Sequence, residues 1–159
     1  MVSYMDGGVR RWAGSYRSGD WAHRLTIDRE GPAFAKETQD FFDKQGLRLE
    51  QMITYVDGNV RRWAGIYRSG NWGHRFTMDR DTKTFLDETQ KWFDKDGLRL
   101  IDVERYDVNG QARWAGVYRS ADWGHRLIID RGVESLLAET QEAFDKSGLR
   151  LVCVDVYEL

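Results

Sequence analysis

The chain contains few of the residues from which disulfide frameworks and thiolate metal clusters are built. Among its 159 residues there are one cysteine, one proline and three histidines, and the formal charge at pH 7 is −2. A single cysteine forms neither an intrachain disulfide nor a thiolate metal cluster. No apolar run approaches the roughly 18 residues of a membrane span, so we expect no membrane partner. The near-neutral charge argues against a nucleic-acid partner.

Targeting and catalytic motifs are also missing. The N-terminal sequence has no apolar signal core, which favours the cytoplasm but also fits a module excised from a secreted protein. There is no Gly-x-Ser-x-Gly, Ser-x-x-Lys, His-Glu-x-x-His or glycine-rich phosphate loop. Cys153 lies between Val152 and Val154 and is interpreted as a small buried thiol. We therefore expect a protein without catalytic activity.

Aromatic residues are abundant, and most of the tryptophans follow a period of 51 residues. The recurring positions are Trp12, Trp63 and Trp114; Trp21, Trp72 and Trp123; and His23, His74 and His125. Arg-Trp-Ala-Gly-x-Tyr-Arg-Ser, Trp-x-His-Arg and Glu-Thr-Gln occur in all three copies. Such a period indicates a repeat protein. We predict one domain, 1–159, of three repeats at about 1–46, 47–97 and 98–148, with 149–159 as a closing or extra strand.

Each copy predicts three strands followed by a helix. Asp-Gly at 57–58 and Asn-Gly at 109–110 are typical of tight hairpins. In the returning strand Trp114, Gly116 and Tyr118 share one face. A short turn then leads to a third alternating strand at 123–130. Three consecutive strands joined by tight turns favour an antiparallel meander.

The helix of each copy carries one apolar stripe. In the first copy Phe34, Thr38, Phe41 and their neighbours recur with a 3.6-residue period. Glycines 46, 97 and 148 stand where a left-handed residue ends a helix. The predicted fold class is therefore α+β, with three tandem β-β-β-α repeats that are antiparallel meanders with one helix each.

The tyrosine of the first strand occurs four times, at Tyr4, Tyr55, Tyr106 and Tyr157. One hypothesis is that the last strand pairs beside the first copy and closes a ring with pseudo-threefold symmetry. The duplicated strand equally fits an open array, or a strand given to a neighbouring protomer, since uncovered edges associate. A monomer and a small homo-oligomer are both open at this point.

The segment GLRLIDVERYDVNGQARWAGVYR, together with FDKSGLRL, resembles the bacterial tandem repeat family found in the N-terminal modules of polyglycine-hydrolase-like proteins. Its features are Gly-Leu-Arg, a branched strand, Tyr, a glycine-containing turn and Arg-Trp-Ala-Gly. In such proteins the repeats accompany a separate hydrolase domain. The resemblance therefore implies an accessory or recognition module, and it transfers no catalytic residue to this chain.

Two sets of residues are candidates for a site. Trp21 with Arg24, Trp72 with Arg75 and Trp123 with Arg126 could line three equivalent pockets, because Trp faces stack on sugars and Arg forks recognise carboxylates. Alternatively His23, His74 and His125 could converge around a threefold axis and hold Zn, Cu or Ni. Separate hydrogen-bonded histidines are the competing interpretation.

These candidates leave three hypotheses about function. The first is a non-catalytic module that binds carbohydrate or another extended polymer through repeated Trp/Arg pockets. The second is a metal-binding protein with a three-histidine ring, which could support metal-assisted hydrolysis. The third is a structural repeat protein that assembles with copies of itself and binds no small ligand.

Overall fold

The computed structural model describes residues 1–157 and has an α+β fold, as expected. Within this range three helices accompany three antiparallel sheets. The elements are β1 (Val2–Asp6), β2 (Val9–Ala13), β3 (His23–Arg29), α1 (Gly31–Gln45), β4 (Leu47–Asp57), β5 (Val60–Ser69), β6 (His74–Arg80), α2 (Thr82–Asp96), β7 (Leu98–Val108), β8 (Gln111–Ser120) and α3 (Val133–Ser147). None of these helices is long and apolar enough to cross a membrane.

All three helices end as their glycines predict. Gly46, Gly97 and Gly148 have φ angles of 63°, 62° and 63°, a left-handed conformation that glycine adopts without the steric cost of a Cβ. Their N–H groups donate to carbonyls of the last turn. A lysine lies in that turn of each helix, where a cation interacts favourably with the helix dipole.

The three hairpins are formed by the predicted pairs of strands, β1–β2, β4–β5 and β7–β8. The prediction that the three strands of each copy form an antiparallel meander, however, is wrong. The strand orders are β3-β5-β4 and β6-β8-β7, so the third strand of one copy pairs with the hairpin of the next copy. The helix between the strands explains this order. Helix α1 connects β3 to β4 and packs on β5, so β3 pairs with the edge of β5 that β4 does not use.

In the described chain, the third copy has no following hairpin with which its predicted third strand could pair. Residues 123–130 and 149–157 are not in strands within residues 1–157. The predicted extra strand is instead a segment beside β7, where the Arg105 N–H donates to Asp155 Oδ2 at 3.1 Å. No hydrogen bond, ion pair or aromatic contact between described residues joins 149–157 to β1 or β2, so the ring closure considered above is not formed and the sheets follow one another in an open row.

Helices α1 and α2 each pack on the aromatic face of the hairpin that follows them. Trp63 and Tyr67 lie fully buried under α1, where the Phe34 ring stacks on Trp63 at 5.7 Å and Thr38 hydrogen-bonds the Tyr67 hydroxyl at 2.8 Å. Between Trp63 and Tyr67, a Cβ on Gly65 would lie 2.9 Å from Phe34, so glycine allows this close approach.

Helix α1 also contacts the next sheet, because Phe34 meets Phe76 of β6 at 5.6 Å between ring centroids. Ala115 and Val117, on the face of β8 opposite Trp114, are fully buried in the same core cluster as Phe34. The sheet β6-β8-β7 is therefore buried on both faces, by α1 on one side and α2 on the other.

Side chains of one sheet satisfy the backbone of the sheet before it. The Met52 N–H donates to Asp102 Oδ2 at 2.6 Å, and the Thr54 N–H donates to Glu104 Oε2 at 3.0 Å. Burial, with a smaller contribution from the nearby Asp155, raises the pKa of Asp102 to about 7 and that of Glu104 to about 9. This junction therefore places two carboxyl groups of raised pKa between β4 and β7.

The recurring tyrosines join consecutive copies. The hydroxyls of Tyr55, Tyr106 and Tyr157 each donate to the aspartate 27 residues earlier and accept from its backbone N–H. These aspartates, Asp28, Asp79 and Asp130, have φ angles of 59°, 56° and 56°. The bond fixes an aspartate in a left-handed conformation that few residues other than glycine adopt.

Candidate functional site

Tryptophans and arginines alternate in a series that runs through the successive copies. We call this series the Trp–Arg ladder, and it consists of Arg17, Trp21, Arg68, Trp72, Arg119 and Trp123. The guanidinium carbons lie 5.0 Å (Arg17–Trp21), 5.5 Å (Arg68–Trp21), 4.7 Å (Arg68–Trp72), 4.8 Å (Arg119–Trp72) and 5.4 Å (Arg119–Trp123) from the ring centroids. Contacts of this length are cation–π interactions.

The residue two positions before each ladder tryptophan determines whether the indole ring can pack against the turn. A Cβ on Gly70 would be 1.7 Å from the Trp72 ring, and a Cβ on Gly19 would be 2.2 Å from the Trp21 ring. Those two rings therefore lie flat over a glycine. The third copy has Ala121 at this position, and a side chain there excludes the same placement. Trp123 is 46 % exposed, whereas Trp21 and Trp72 are half-buried.

The arginines that follow α1 and α2 hold the loops of two ladder tryptophans. Arg48 donates from Nε to the Trp72 carbonyl at 2.7 Å, and Arg99 does the same to the Trp123 carbonyl at 2.5 Å. Arg48 also donates to the Gly46 carbonyl at the end of α1, at 2.9 Å. Sequence reasoning predicts only this helix-capping role, because the tryptophan loop lies 24 residues away in the chain.

Two equivalent rows of basic residues cross the sheets beside the ladder. In β3-β5-β4 the row consists of His23, Arg68 and Arg48, which are register partners across the strands. In β6-β8-β7 it consists of His74, Arg119 and Arg99. We call these the first and second basic rows.

The two rows differ in their acidic partner. Glu50 lies beside the first row, with its Oε2 2.9 Å from Arg68 Nε. The second row has Ile101 at the corresponding position, and the Arg119 guanidinium has no hydrogen bond or ion pair within residues 1–157. Buried side-chain atoms without a hydrogen-bond partner in the described part of the chain occur in both rows: Arg68 Nε and Glu50 Oε1 at the first, and Arg119 Nε, Trp72 Nε1 and His74 Nε2 at the second. The ion pair of Arg68 with Glu50 is therefore the difference between them.

The predicted pairing of Trp21, Trp72 and Trp123 with Arg24, Arg75 and Arg126 is not formed. Arg24 lies over Phe41 at 4.6 Å and Arg75 over Trp92 at 4.5 Å, so both cover helix residues on the other face of the sheet. Arg126 forms an ion pair with Glu139 at 3.4 Å. Arginines 24, 75 and 126 follow the tryptophans by three residues and alternate to the helix face.

The arginines that do reach the tryptophans belong to the Tyr-Arg-Ser motif. Arg68 and Arg119 recur as strictly as the tryptophans, which is a signal available from the sequence. Their strand alternation, opposite to Trp63 and Trp114, also places them on the face away from the helix. Sequence reasoning missed them because the pairing of β3 with β5, and of β6 with β8, is a tertiary feature.

The three histidines lie in separate environments. His74 stacks on Phe42 at 5.7 Å, and burial together with Arg48 lowers its pKa to about 4. His125 stacks on Phe93 at 5.5 Å, and burial lowers its pKa also. His23 is exposed at the start of β3. Within residues 1–157 no three His, Cys, Asp or Glu side chains are placed to hold a metal ion.

Two surface cavities lie away from the ladder. One of about 520 Å³ follows the outer side of α1, where Lys36 and Lys44 bind Asp40 at 2.6 and 2.8 Å and lower the pKa of its carboxyl group to about 2. The other, of about 390 Å³, lies between the hairpin turns beside Trp63 and Tyr106. The ladder residues line neither of these two cavities.

Comparison with protein families gave a match to part of the chain. Residues 86–121, from within α2 to the end of β8, match the family described as a polyglycine hydrolase-like structural repeat. The repeat family expected from the sequence is thus confirmed for this segment. Searches of curated proteins and of solved structures found no match.

Proposed function

We propose that the chain is a non-catalytic ligand-binding module of three tandem repeats of about 51 residues, which binds an extended carbohydrate along the Trp–Arg ladder. The observation that carries this proposal is the recurrence of the ladder: Trp21, Trp72 and Trp123 follow one another with an arginine between each pair. A ligand with repeating units matches a surface with repeating contacts.

The chemistry of the ladder suits sugar rings. The Trp123 ring is 46 % exposed and has Arg119 on it, which leaves apolar area for the C–H face of a sugar. Guanidinium groups beside the rings supply N–H donors in a fixed fork for hydroxyl or carboxylate oxygens. Successive weak contacts along one polymer gain avidity, because the second contact forms at a high effective concentration.

The test is binding of the full chain to polysaccharides, measured by affinity electrophoresis and calorimetry. Trp123→Ala removes a ladder ring that is half-exposed, and we expect a loss of affinity of about tenfold or more, corresponding to about 1.4 kcal/mol. Trp12→Ala is the matched control, because Trp12 lies outside the ladder against Tyr55 at 5.3 Å. Absence of binding to both neutral and acidic polysaccharides at millimolar concentration, or an equal effect of the two substitutions, would contradict the proposal.

A further inference from the structure

The two basic rows share one arrangement of arginines, but only the first row has a carboxylate beside it. In both rows two arginines stand opposite each other on neighbouring strands, Arg48 with Arg68 and Arg99 with Arg119. Like charges directly opposite in a sheet are destabilising. In the first row the chain supplies the counter-charge itself, through Glu50 at 2.9 Å from Arg68.

The second row has the same backbone geometry without that carboxylate. A register irregularity occurs between Leu49 and Gln51 in β4 and between Leu100 and Asp102 in β7, so Glu50 and Ile101 occupy equivalent places. An isoleucine cannot neutralise the arginine beside it. No acidic side chain of residues 1–157 lies within 4.0 Å of the Arg119 or Arg99 guanidinium groups.

From this difference we infer that the second basic row is a subsite for a ligand carboxylate, which binds the Arg119 and Arg99 guanidinium groups and supplies the counter-charge that Glu50 supplies in the first row. The inference rests on the proposed function and specifies its ligand as an acidic polysaccharide that contains uronate units. Within the ladder, the carboxylate would be held by guanidinium groups and the sugar ring would lie on Trp123.

Three features of the subsite support an anion over a neutral group. Arg68 Nε and Arg119 Nε are both buried without a hydrogen bond in the described residues, but Arg68 has the Glu50 carboxylate 2.9 Å away and Arg119 has no such counter-charge. Arg99 uses Nε on the Trp123 carbonyl and Nη1 on the Leu98 carbonyl, so its other N–H groups are left for a ligand. A carboxylate accepts two parallel bonds from a guanidinium, in a geometry that a hydroxyl does not match.

Trp123 favours a sugar acid over a simple anion. Its carbonyl is held by Arg99 and its ring contacts Arg119, so the indole is fixed beside both cations. Because Ala121 replaces the glycine of the other copies, this ring is also the most exposed of the three ladder tryptophans. The exposed ring and the unneutralised arginines therefore occur in the same copy.

The experiment compares an oligogalacturonate with its fully methyl-esterified form, which has the same sugar backbone but carries an uncharged methyl ester in place of each carboxylate. Calorimetry at low ionic strength measures the affinity of the full chain for each. We expect the acid to bind about tenfold more tightly than the ester, since hydrogen bonds to a charged group contribute about 1.5–3 kcal/mol. Ile101→Glu should abolish this preference by supplying an internal carboxylate, while Ile101→Gln, which adds the same length without charge, should retain it.

Glu50→Gln provides a second variant that does not touch the Ile101 position. It removes the internal carboxylate from Arg68, so we expect tighter binding of the acid and unchanged binding of the ester. Melting curves of the two Ile101 variants show whether both are folded, and if they are not, the Glu50→Gln measurement decides alone.

The outcomes separate this inference from the proposed function. Equal affinity for acid and ester overturns the carboxylate subsite but leaves carbohydrate binding standing. Equal acid affinities of folded Ile101→Glu and Ile101→Gln, or an unchanged acid affinity of Glu50→Gln, overturn the subsite as well. Failure of both oligomers, and of neutral and acidic polysaccharides in general, overturns both proposals together.

Discussion

The aromatic residues of the sequence Arg-Trp-Ala-Gly-x-Tyr-Arg-Ser are buried in one region of the molecule and exposed to solvent in another. In β5 its aromatic residues are buried, with Trp63 1 % and Tyr67 0 % exposed. In the N-terminal hairpin the equivalent Tyr16 is 96 % exposed, and Trp12 is only partly covered. The same residues with the same propensities are thus core in one place and surface in the other.

The neighbours explain the difference. Strand β5 lies between β3 and β4 and under α1, whereas β2 pairs with β1 alone among the described residues. The strand itself changes length, from ten residues in β5 to five in β2. The burial of this motif in β5 therefore depends on the β3 pairing and the α1 packing, which β2 lacks.

The largest difference between the two regions should come from their tryptophans. We expect Trp63→Ala to lower the free energy of unfolding by about 3–5 kcal/mol, because it leaves a cavity against Phe34. Trp12→Ala should cost about 1–2 kcal/mol, since it loses mainly the contact with Tyr55. Urea unfolding followed by circular dichroism measures both. Equal losses would show that the N-terminal hairpin is as well packed as β5.

The second difference between the two regions is how their contribution to the free energy of unfolding depends on pH. The pKa of Glu104 is raised to about 9 by burial and by Asp155 and Asp102, with Arg61 opposing. An unfolded glutamate titrates near about 4.3, so the folded state binds the extra proton and the free energy of unfolding falls as pH rises from there to about 9. Glu104→Gln removes this titration and should be more stable than the parent at pH 8 by several kcal/mol, since each unit of pKa shift corresponds to about 1.4 kcal/mol.

The junction with the N-terminal hairpin has Ile53 at the equivalent position, so this pH dependence belongs to the β4–β7 junction. Unfolding measured from pH 5 to pH 8 tests the prediction, with exposed Glu134→Gln in α3 as the control. Asp102 titrates in the same direction, with a pKa of about 7, and therefore leaves part of the slope in place. A parallel pH profile for parent and Glu104→Gln would argue against the buried position of this carboxyl.

A smaller difference in stability is expected when the hydroxyl group is removed from two tyrosines that occupy the same position in the repeat. Tyr106→Phe removes the hydroxyl that donates to Asp79 at 2.7 Å and accepts from its N–H at 2.9 Å. Because Asp79 is then left unsatisfied in a left-handed conformation, we expect a loss of about 1–2 kcal/mol. Tyr4→Phe should change stability by less than about 0.5 kcal/mol, since Tyr4 is 54 % exposed. Thermal melting of both variants is sufficient, and a large effect of Tyr4→Phe would reveal a contact that the structure lacks.

The smallest expected effect is at the tyrosine that follows Trp12. Tyr16→Ala should change the free energy of unfolding by less than about 0.5 kcal/mol, as for other exposed positions. Its interior counterpart Tyr67 hydrogen-bonds Thr38 at 2.8 Å and meets Phe41 at 5.0 Å, so Tyr67→Ala should cost about 3 kcal/mol or more. Proteolysis of Tyr16→Ala at the same rate as the parent would support the exposed position.

Much of the fold was predictable because it depends on residues close together in the chain. The Asp-Gly and Asn-Gly turns, the helix stripe of Phe34, Thr38 and Phe41, and the glycine ends of the helices all appear where the local pattern places them. The candidate site was predicted less completely. Trp21, Trp72 and Trp123 do lie in a shared series, but their arginine neighbours are Arg68 and Arg119 rather than Arg24, Arg75 and Arg126.

What the sequence by itself determined is the period of 51 residues, the hairpins, the helices and the α+β class, since turns, caps and apolar stripes act within a few residues. Only the tertiary structure decided that β3 pairs with β5 rather than β2, and that Arg119 stands between two tryptophans without a carboxylate. The physical reason is that strand pairing across a helix, and the burial that follows, join residues about 40 to 50 positions apart, whose meeting no local pattern encodes.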